Sequence, residues 1–292
     1  MEVLSCDRKR EYSLTINETN QMTIPFQHAL RLACLLLLVS KNIGLSQTLE
    51  TDVDSALKDS FPPNRAGGVA LISIEGETVF HRAYGLGNVE LNVPMECDMK
   101  FVIASVTKQF TAVAILMLME QGKLSLEDEI TKYIKDYPTH GHKITIHHLL
   151  THTSGIRNHT RIKGVGEFAV KEFETIDFIR FFSKEPMDFA PGQKRNYSNS
   201  GYHILGYIIE KLSGQSYGEY IETRIFEPLG MRNSQFGSNE KIIQGRVPGY
   251  TGKADGEMNA GEFNFNIPFS SGALISTAGD LAKWNQAIHS GE

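Results

Sequence analysis

Apolar residues along this 292-residue chain fall in runs whose spacing changes from place to place, and the spacing predicts the elements. Between Gly67 and Gly85, two runs rich in Val, Ile, Leu and aromatic residues flank Glu75-Gly76-Glu77, which reads as a β-hairpin. The stretch FVIASVTKQFTAVAILMLM, residues 101–119, holds a single charged residue, Lys108. It predicts a long helix over 105–121, ended by Gly122. Shorter helical patterns cover 50–60, 126–134, 145–151, 173–183 and 216–225, and a longer one covers 197–214 with Gly214 past its end. Residues 272–291 read as a short strand, then a helix opened near Ser276 or Thr277 and closed at Gly291.

A hairpin, then helices, then a late strand is the order of an α+β protein. An antiparallel sheet pairing early and late strands, flanked by helices, would accompany an all-helical region. So few strands leave sheet edges to be covered. That is a first hint that the chain stops early.

Composition changes little: 41% apolar and 22% charged residues are ordinary for a globular protein. Net charge is −5 and no basic run exceeds Arg8-Lys9-Arg10, so a nucleic-acid partner is not expected. A small molecule or peptide is the expected partner. Near the start, Arg31 precedes an apolar run from Leu32 to Val39, and Gly44 and Ser46 follow, placed for a cut before Gln47. That is the shape of a secretory signal peptide, with Met22 the more natural start. The run is too short to span a bilayer as a helix. Residues 1–46 are thus expected to be an N-terminal extension and signal, and residues 47–292 the functional domain of a secreted or periplasmic protein with no stable membrane span. An uncleaved segment would instead tether the chain. Of Cys6, Cys34 and Cys97, only Cys97 would survive cleavage. It stands between Glu96 and Asp98 with no cation beside it to activate its thiol, and reads as structural.

Lys108 lies three residues after Ser105 at the opening of the apolar helix. Positions i and i+3 share a helix face, so Ser105 Oγ and Lys108 Nζ are within reach of each other. Burial among Val, Ile, Phe and Met, with the positive field of a helix start, disfavours the ammonium form. A neutral lysine then accepts the serine proton and leaves a nucleophile. Taken alone, S-x-x-K occurs by chance on many helices, and the lysine stem could snorkel to the surface. A second element sharpens the reading. Tyr197-Ser198-Asn199 opens the helix over 197–214, with Tyr and Asn placed to reach one cleft. A phenol beside a lysine can share its proton, its own pKa lowered by the charge. Asn199 can donate its amide to a substrate carbonyl or to the lysine pair. Alone, the same triplet would read as an aromatic followed by a helix cap.

S-x-x-K opening an apolar helix, followed by Y-x-N, resembles the serine β-lactamase and penicillin-binding-protein superfamily. The Y-x-N form is similar to its class C β-lactamase branch, with esterase and D-peptidase relatives. GLGNVELNVPM (85–95), HHLLTHTSGI (147–156), FAPGQKRNYSNSGYHILGYIIEKLSG (189–214) and SSGALISTAGDLAKW (270–284) carry the same resemblance, which covers about residues 50–292. It implies a serine hydrolase without cofactor or metal. Ser105 would be the nucleophile, Lys108 the general base or its partner, Tyr197 the second member of the proton-shuttling pair, and Asn199 a substrate-binding amide. The Ser105 N–H would form half of an oxyanion hole. His152 is read as fixing a loop rather than as catalytic, and His147 and His148 show no arrangement of metal ligands. The resemblance also implies a third element, [KH]-[ST]-G, on a late strand followed by further strands and a closing helix, so the C-terminal strands and helix are expected to be missing from this chain. The one string that fits, His289-Ser290-Gly291, falls at the end of a helix where the glycine reads as a cap. A hydrolase acting on a D-Ala peptide, β-lactam or ester is the leading expectation. A catalytically impaired or non-catalytic relative that binds a peptide or cell-wall fragment is the alternative.

Overall fold

A computed structural model of the protein describes residues 43–170, 173–253, 256–261 and 264–291. The expected signal segment, with its apolar run, lies outside these residues, apart from its end at 43–46. The first described element is helix α1, Ile43–Ser60, which starts earlier than the apolar pattern over 50–60 indicates. Strands β1, Gly68–Ile74, and β2, Glu77–Tyr84, form the expected antiparallel hairpin. The turn uses Glu75 and Gly76 at positive φ. One face of the hairpin buries Ala70, Phe80 and Tyr84 against Val53 of α1. Short strands β3, Leu86–Asn88, and β4, Val93–Pro94, pair with each other.

The early and late parts of the chain meet in a three-stranded sheet. Strand β5, Phe101–Val102, pairs antiparallel with β9, Leu274–Ser276, which also pairs with β6, Gln235–Phe236. Among the described residues the β1–β2 hairpin pairs only with itself, and β7, Tyr250–Lys253, pairs with β8, Gly256–Asn259. The α+β class therefore holds, with several small antiparallel sheets in place of one.

Helix α2, Thr107–Glu120, runs through the main core. Phe110, Ala114, Ile115 and Leu118 are fully buried, which accounts for a segment apolar on nearly every side. Helices α3, Ile146–Leu150, α4, Thr175–Phe182, and α5, Asn199–Ser213, pack around it in the same core. Helix α6, Tyr217–Ile221, continues into a π-helical turn, Glu222–Phe226. Helix α7, Ala278–Ser290, is capped by Thr277, whose side chain accepts from Asp280 N–H. Trp284 of α7 stacks on Phe110 of α2 at 4.1 Å between ring centroids. His289-Ser290-Gly291 ends this helix, with Gly291 at φ 77° as its left-handed cap.

The helix expected over 126–134 does not form; only the turn Ile130–Lys132 is helical. Its backbone is used elsewhere. Ile130 N–H donates to Ile144 O, Ile146 N–H to Asp128 O, and His147 N–H to Leu126 O. Each of these long-range bonds takes a group that an i to i−4 helix would need. No helix among the described residues is long and apolar enough to cross a membrane.

Candidate active site

Ser105 stands in a single 3₁₀ turn, Ala104–Val106, two residues before α2 begins, and not in the helix itself as expected. The cause is Ala104, at φ 44°, a left-handed conformation that costs a non-glycine residue about 1–3 kcal/mol. The β5–β9 junction holds it there: Ile103 N–H donates to Leu274 O at 2.9 Å, and Leu274 N–H donates to Thr107 Oγ1 at 3.2 Å. The break in helical geometry leaves Ser105 exposed, while Lys108, three residues on, is only 6% exposed.

The four residues singled out in the sequence converge. Ser105 Oγ lies 2.6 Å from the Tyr197 hydroxyl, 92 residues along the chain. Lys108 Nζ lies 3.3 Å from Ser105 Oγ and 2.8 Å from Asn199 Oδ1. It also donates to the main-chain oxygen of Ser271 at 2.6 Å. Its cation sits over the Tyr197 ring at 4.7 Å and the Tyr202 ring at 5.5 Å. The lysine nitrogen is thus faced by two phenol rings. Among the described residues it forms no ion pair, and burial brings its pKa down to about 7.

Hydrogen counting adds a direction. A neutral amine has two N–H groups and one lone pair. Asn199 Oδ1 and Ser271 O are the two near acceptors, which leaves the lone pair for the longer contact to Ser105 Oγ. The arrangement fits a lysine ready to receive the serine proton.

Two details differ from the sequence expectation. Asn199 meets the lysine with its carbonyl oxygen and not its NH₂, because a lysine offers only donors on that side. The Tyr197 pKa is raised, by burial, and not lowered by the lysine charge. A lysine that loses its proton near 7 carries no charge by the time a phenol titrates.

The loop carrying Tyr197 is zipped onto His152. Asn196 N–H donates to His152 O at 2.9 Å, and Ser198 N–H donates to His152 Nδ1 at 3.2 Å. The His152 ring lies tilted on Tyr197 at 4.6 Å. Burial, with the nearby charges of Lys108 and Arg195, lowers the His152 pKa to about 4, so its ring stays neutral and Nδ1 remains an acceptor. Gly155, at φ 74°, completes the loop: a Cβ there would lie 1.9 Å from Phe189 O. Ser198 caps α5 by accepting from Gly201 N–H at 3.4 Å. Ser200 Oγ donates to Arg157 O, and Asn158 Oδ1 accepts from Asn199 N–H. The Asn196, Ser198 and Asn199 N–H groups and Ser200 Oγ thereby tie this segment to residues 152–158.

The Ser271 carbonyl was not foreseen. A main-chain oxygen has no residue-type signature, and the only signal was that Ser270-Ser271-Gly272 opens one of the segments carrying the resemblance. His147 and His148 lie away from this cluster, on α3, where the His148 ring accepts from Thr145 N–H. Among the described residues no three His, Cys, Asp or Glu side chains gather in a way that could hold a metal ion.

A buried lysine beside an exposed serine and a Y-x-N tyrosine defines a class, and comparison with known proteins agrees with it. The Beta-lactamase family description matches residues 54–292, and the chain belongs to that family. It is 30% identical over 250 residues to esterase EstB of Burkholderia gladioli, covering 80% of this chain and 62% of the esterase. The octameric penicillin-binding protein homologue from Pyrococcus abyssi superposes with a TM-score of 0.69 at 31% identity, over 86% of this chain and 57% of that one. The D-amino acid amidase from Ochrobactrum anthropi superposes with a TM-score of 0.71 at 27% identity, over 82% of this chain and 71% of that one. The chain thus spans a little over half the length of the first two.

Proposed function

We propose that the protein is a secreted serine hydrolase that works through an acyl-enzyme on Ser105, with an ester or a D-Ala peptide favoured over a β-lactam as substrate. The observation that carries this reading is Lys108, buried without a carboxylate and bonded so that its lone pair faces Ser105 Oγ. In the proposed step, Lys108 takes the Ser105 proton as Oγ bonds to the substrate carbonyl carbon. The tetrahedral intermediate expels its alcohol or amine, which receives a proton from the lysine through the Tyr197 hydroxyl. Water then repeats the sequence in reverse roles, and the acid leaves with Ser105 restored. The relatives, an esterase, a penicillin-binding protein homologue and an amidase, support acyl transfer and leave the leaving group open. Export rests on the apolar run from Leu32 to Val39.

The test is intact mass of the purified chain after incubation with a penicillin and, separately, a fluorophosphonate, followed by peptide mapping. The expected result is one adduct on Ser105, formed at a rate that rises with pH through about 7 as Lys108 loses its proton. A folded chain that gives no adduct with either reagent would overturn the reading and favour a non-catalytic peptide-binding relative. N-terminal sequencing of the exported form tests secretion, and an intact Met1 or Met22 end would defeat it.

A further inference from the structure

One of the two near acceptors of Lys108 is a main-chain oxygen, Ser271 O. A carbonyl goes where its backbone goes, so whatever fixes residues 269–272 also fixes the lysine. The turn Phe269–Ser271 is an irregular piece of chain, with Phe269 at φ 41°. Ser270, at its centre, is wholly buried. Its Oγ donates to Tyr202 O at 2.8 Å, and its carbonyl accepts from Thr111 Oγ1 at 2.6 Å. Thr111 has one hydroxyl proton. Because that proton goes to Ser270 O, the 2.7 Å contact between Thr111 Oγ1 and Tyr217 must have the tyrosine as donor. A directed line of hydroxyls therefore runs from Tyr217 through Thr111 to the Ser270 carbonyl. Thr111 and Tyr217 are fully buried, and burial raises the Tyr217 pKa, so it keeps its proton. Gly206 of α5 makes room for the turn: a Cβ there would fall 2.1 Å from Ser270 Oγ.

The groups facing Lys108 are few. Tyr197, just before α5, and Tyr202, in its first turn, present their rings. His152 and His159 feel its charge from the segment after α3, and burial lowers the pKa of each to about 4, so both are neutral where the lysine titrates. Ser105 and Asn199 complete the set with the Ser271 carbonyl. With no carboxylate bonded to the lysine, the strength and aim of these neutral acceptors decide how readily it holds a proton. We propose that Thr111, backed by Tyr217, is a positioning residue that holds the Ser270-Ser271 turn so that the Ser271 carbonyl stays on Lys108. It thereby sets the lysine's proton affinity and turns its lone pair toward Ser105. The consequence for rate rests on the acyl-transfer reading; the consequence for the lysine does not.

The experiment is a pH titration of the full 292-residue chain labelled with [¹³Cε]lysine, followed by NMR, with Lys108 assigned by its loss in Lys108→Met. Thr111→Val is expected to lower the Lys108 midpoint by about half a pH unit, as the cation loses part of its carbonyl acceptor. It should also slow phosphonylation of Ser105 about tenfold, the size of one lost hydrogen bond. Tyr217→Phe should shift both in the same direction by less, and Thr111→Ser, which keeps the hydroxyl, should restore both. An unchanged Lys108 midpoint in folded Thr111→Val or Tyr217→Phe would overturn the proposal. If Thr111→Val fails to fold, Tyr217→Phe carries the test alone. If the wild-type chain is never labelled at Ser105, the acyl-transfer reading falls, and the NMR midpoints still decide this inference.

Discussion

In the layer built by α1 and the β1–β2 hairpin, charged groups meet at the surface. Asp54 takes Lys58 at 2.7 Å, Arg82 at 2.9 Å and the Tyr84 hydroxyl at 2.8 Å. Around α2 and α5 the opposite is seen. Lys108 is the only buried lysine or arginine among the described residues, and it meets an amide, a hydroxyl and a main-chain carbonyl but no carboxylate. Lys58, Arg82 and Glu50 keep much of their water, and such exposed partners gain little from ion pairing. The lysine has lost water without gaining a counter-charge, so its proton is loosely held. Their titrations differ accordingly. The Asp54 pKa is lowered to about 2, chiefly by its bond to Lys58. Its stabilising effect is present above the unfolded value of 3.8 and disappears as pH falls through about 2. The Lys108 pKa is lowered toward neutrality, where a proton can be taken and returned.

The contrast predicts different responses to substitution. Lys108→Met should slow Ser105 labelling by about 10³-fold, within the usual range for a lost general base, and Ser105→Ala should abolish it. Stopped-flow or gel-based phosphonylation measures both. A Lys108→Met protein that is labelled at wild-type rate would erase the distinction between the regions. Phe80→Ala, in the small core under the hairpin, should cost about 3 kcal/mol of stability by leaving a cavity. It should leave the labelling rate of folded molecules unchanged, and a matching loss of labelling would show that the two regions are coupled.

Acid probes the site from another side. His152, His159 and His203 are buried, and burial lowers the pKa of each, to about 4 for the first two and well below 6.5 for His203. A histidine that resists protonation when folded contributes full stability above its unfolded value near 6.5, and that stability is lost as pH falls toward 4. The expected slope is about 1.4 kcal/mol per pH unit for each histidine. Urea melts between pH 7 and 4 measure this, and a flat profile across that range would contradict it. The smallest effect is expected from Arg82→Gln, which breaks exposed pairs with Glu50 and Asp54. A thermal melt should move only slightly, and less in high salt.

Much of this architecture can be read from residue pattern. The hairpin turn at Glu75-Gly76, the apolar α2, and the glycines that close α5 and α7 are local signals read locally. So is the approach of Ser105 to Lys108, because three residues of chain bring them together. The failures are equally physical. The segment 126–134 has helical spacing, yet its backbone bonds to residues 144–147, and a distant partner leaves no trace in a local period. Ser105 lies outside the helix because Ala104 is strained by the β5–β9 junction, a contact between chain segments far apart in sequence.

By itself the sequence determined the residue types of the site, the spacing of Ser105 and Lys108, and the caps that start and stop the helices around them. These follow from side-chain chemistry and from interactions within a turn or two of backbone. Only the tertiary structure decided that Tyr197 reaches Ser105 and that a carbonyl 163 residues away receives the Lys108 proton donor. It also decided that the lysine is buried without a counter-charge. Those outcomes depend on how α2, α5 and the turn before β9 pack, and packing is settled by the whole core at once.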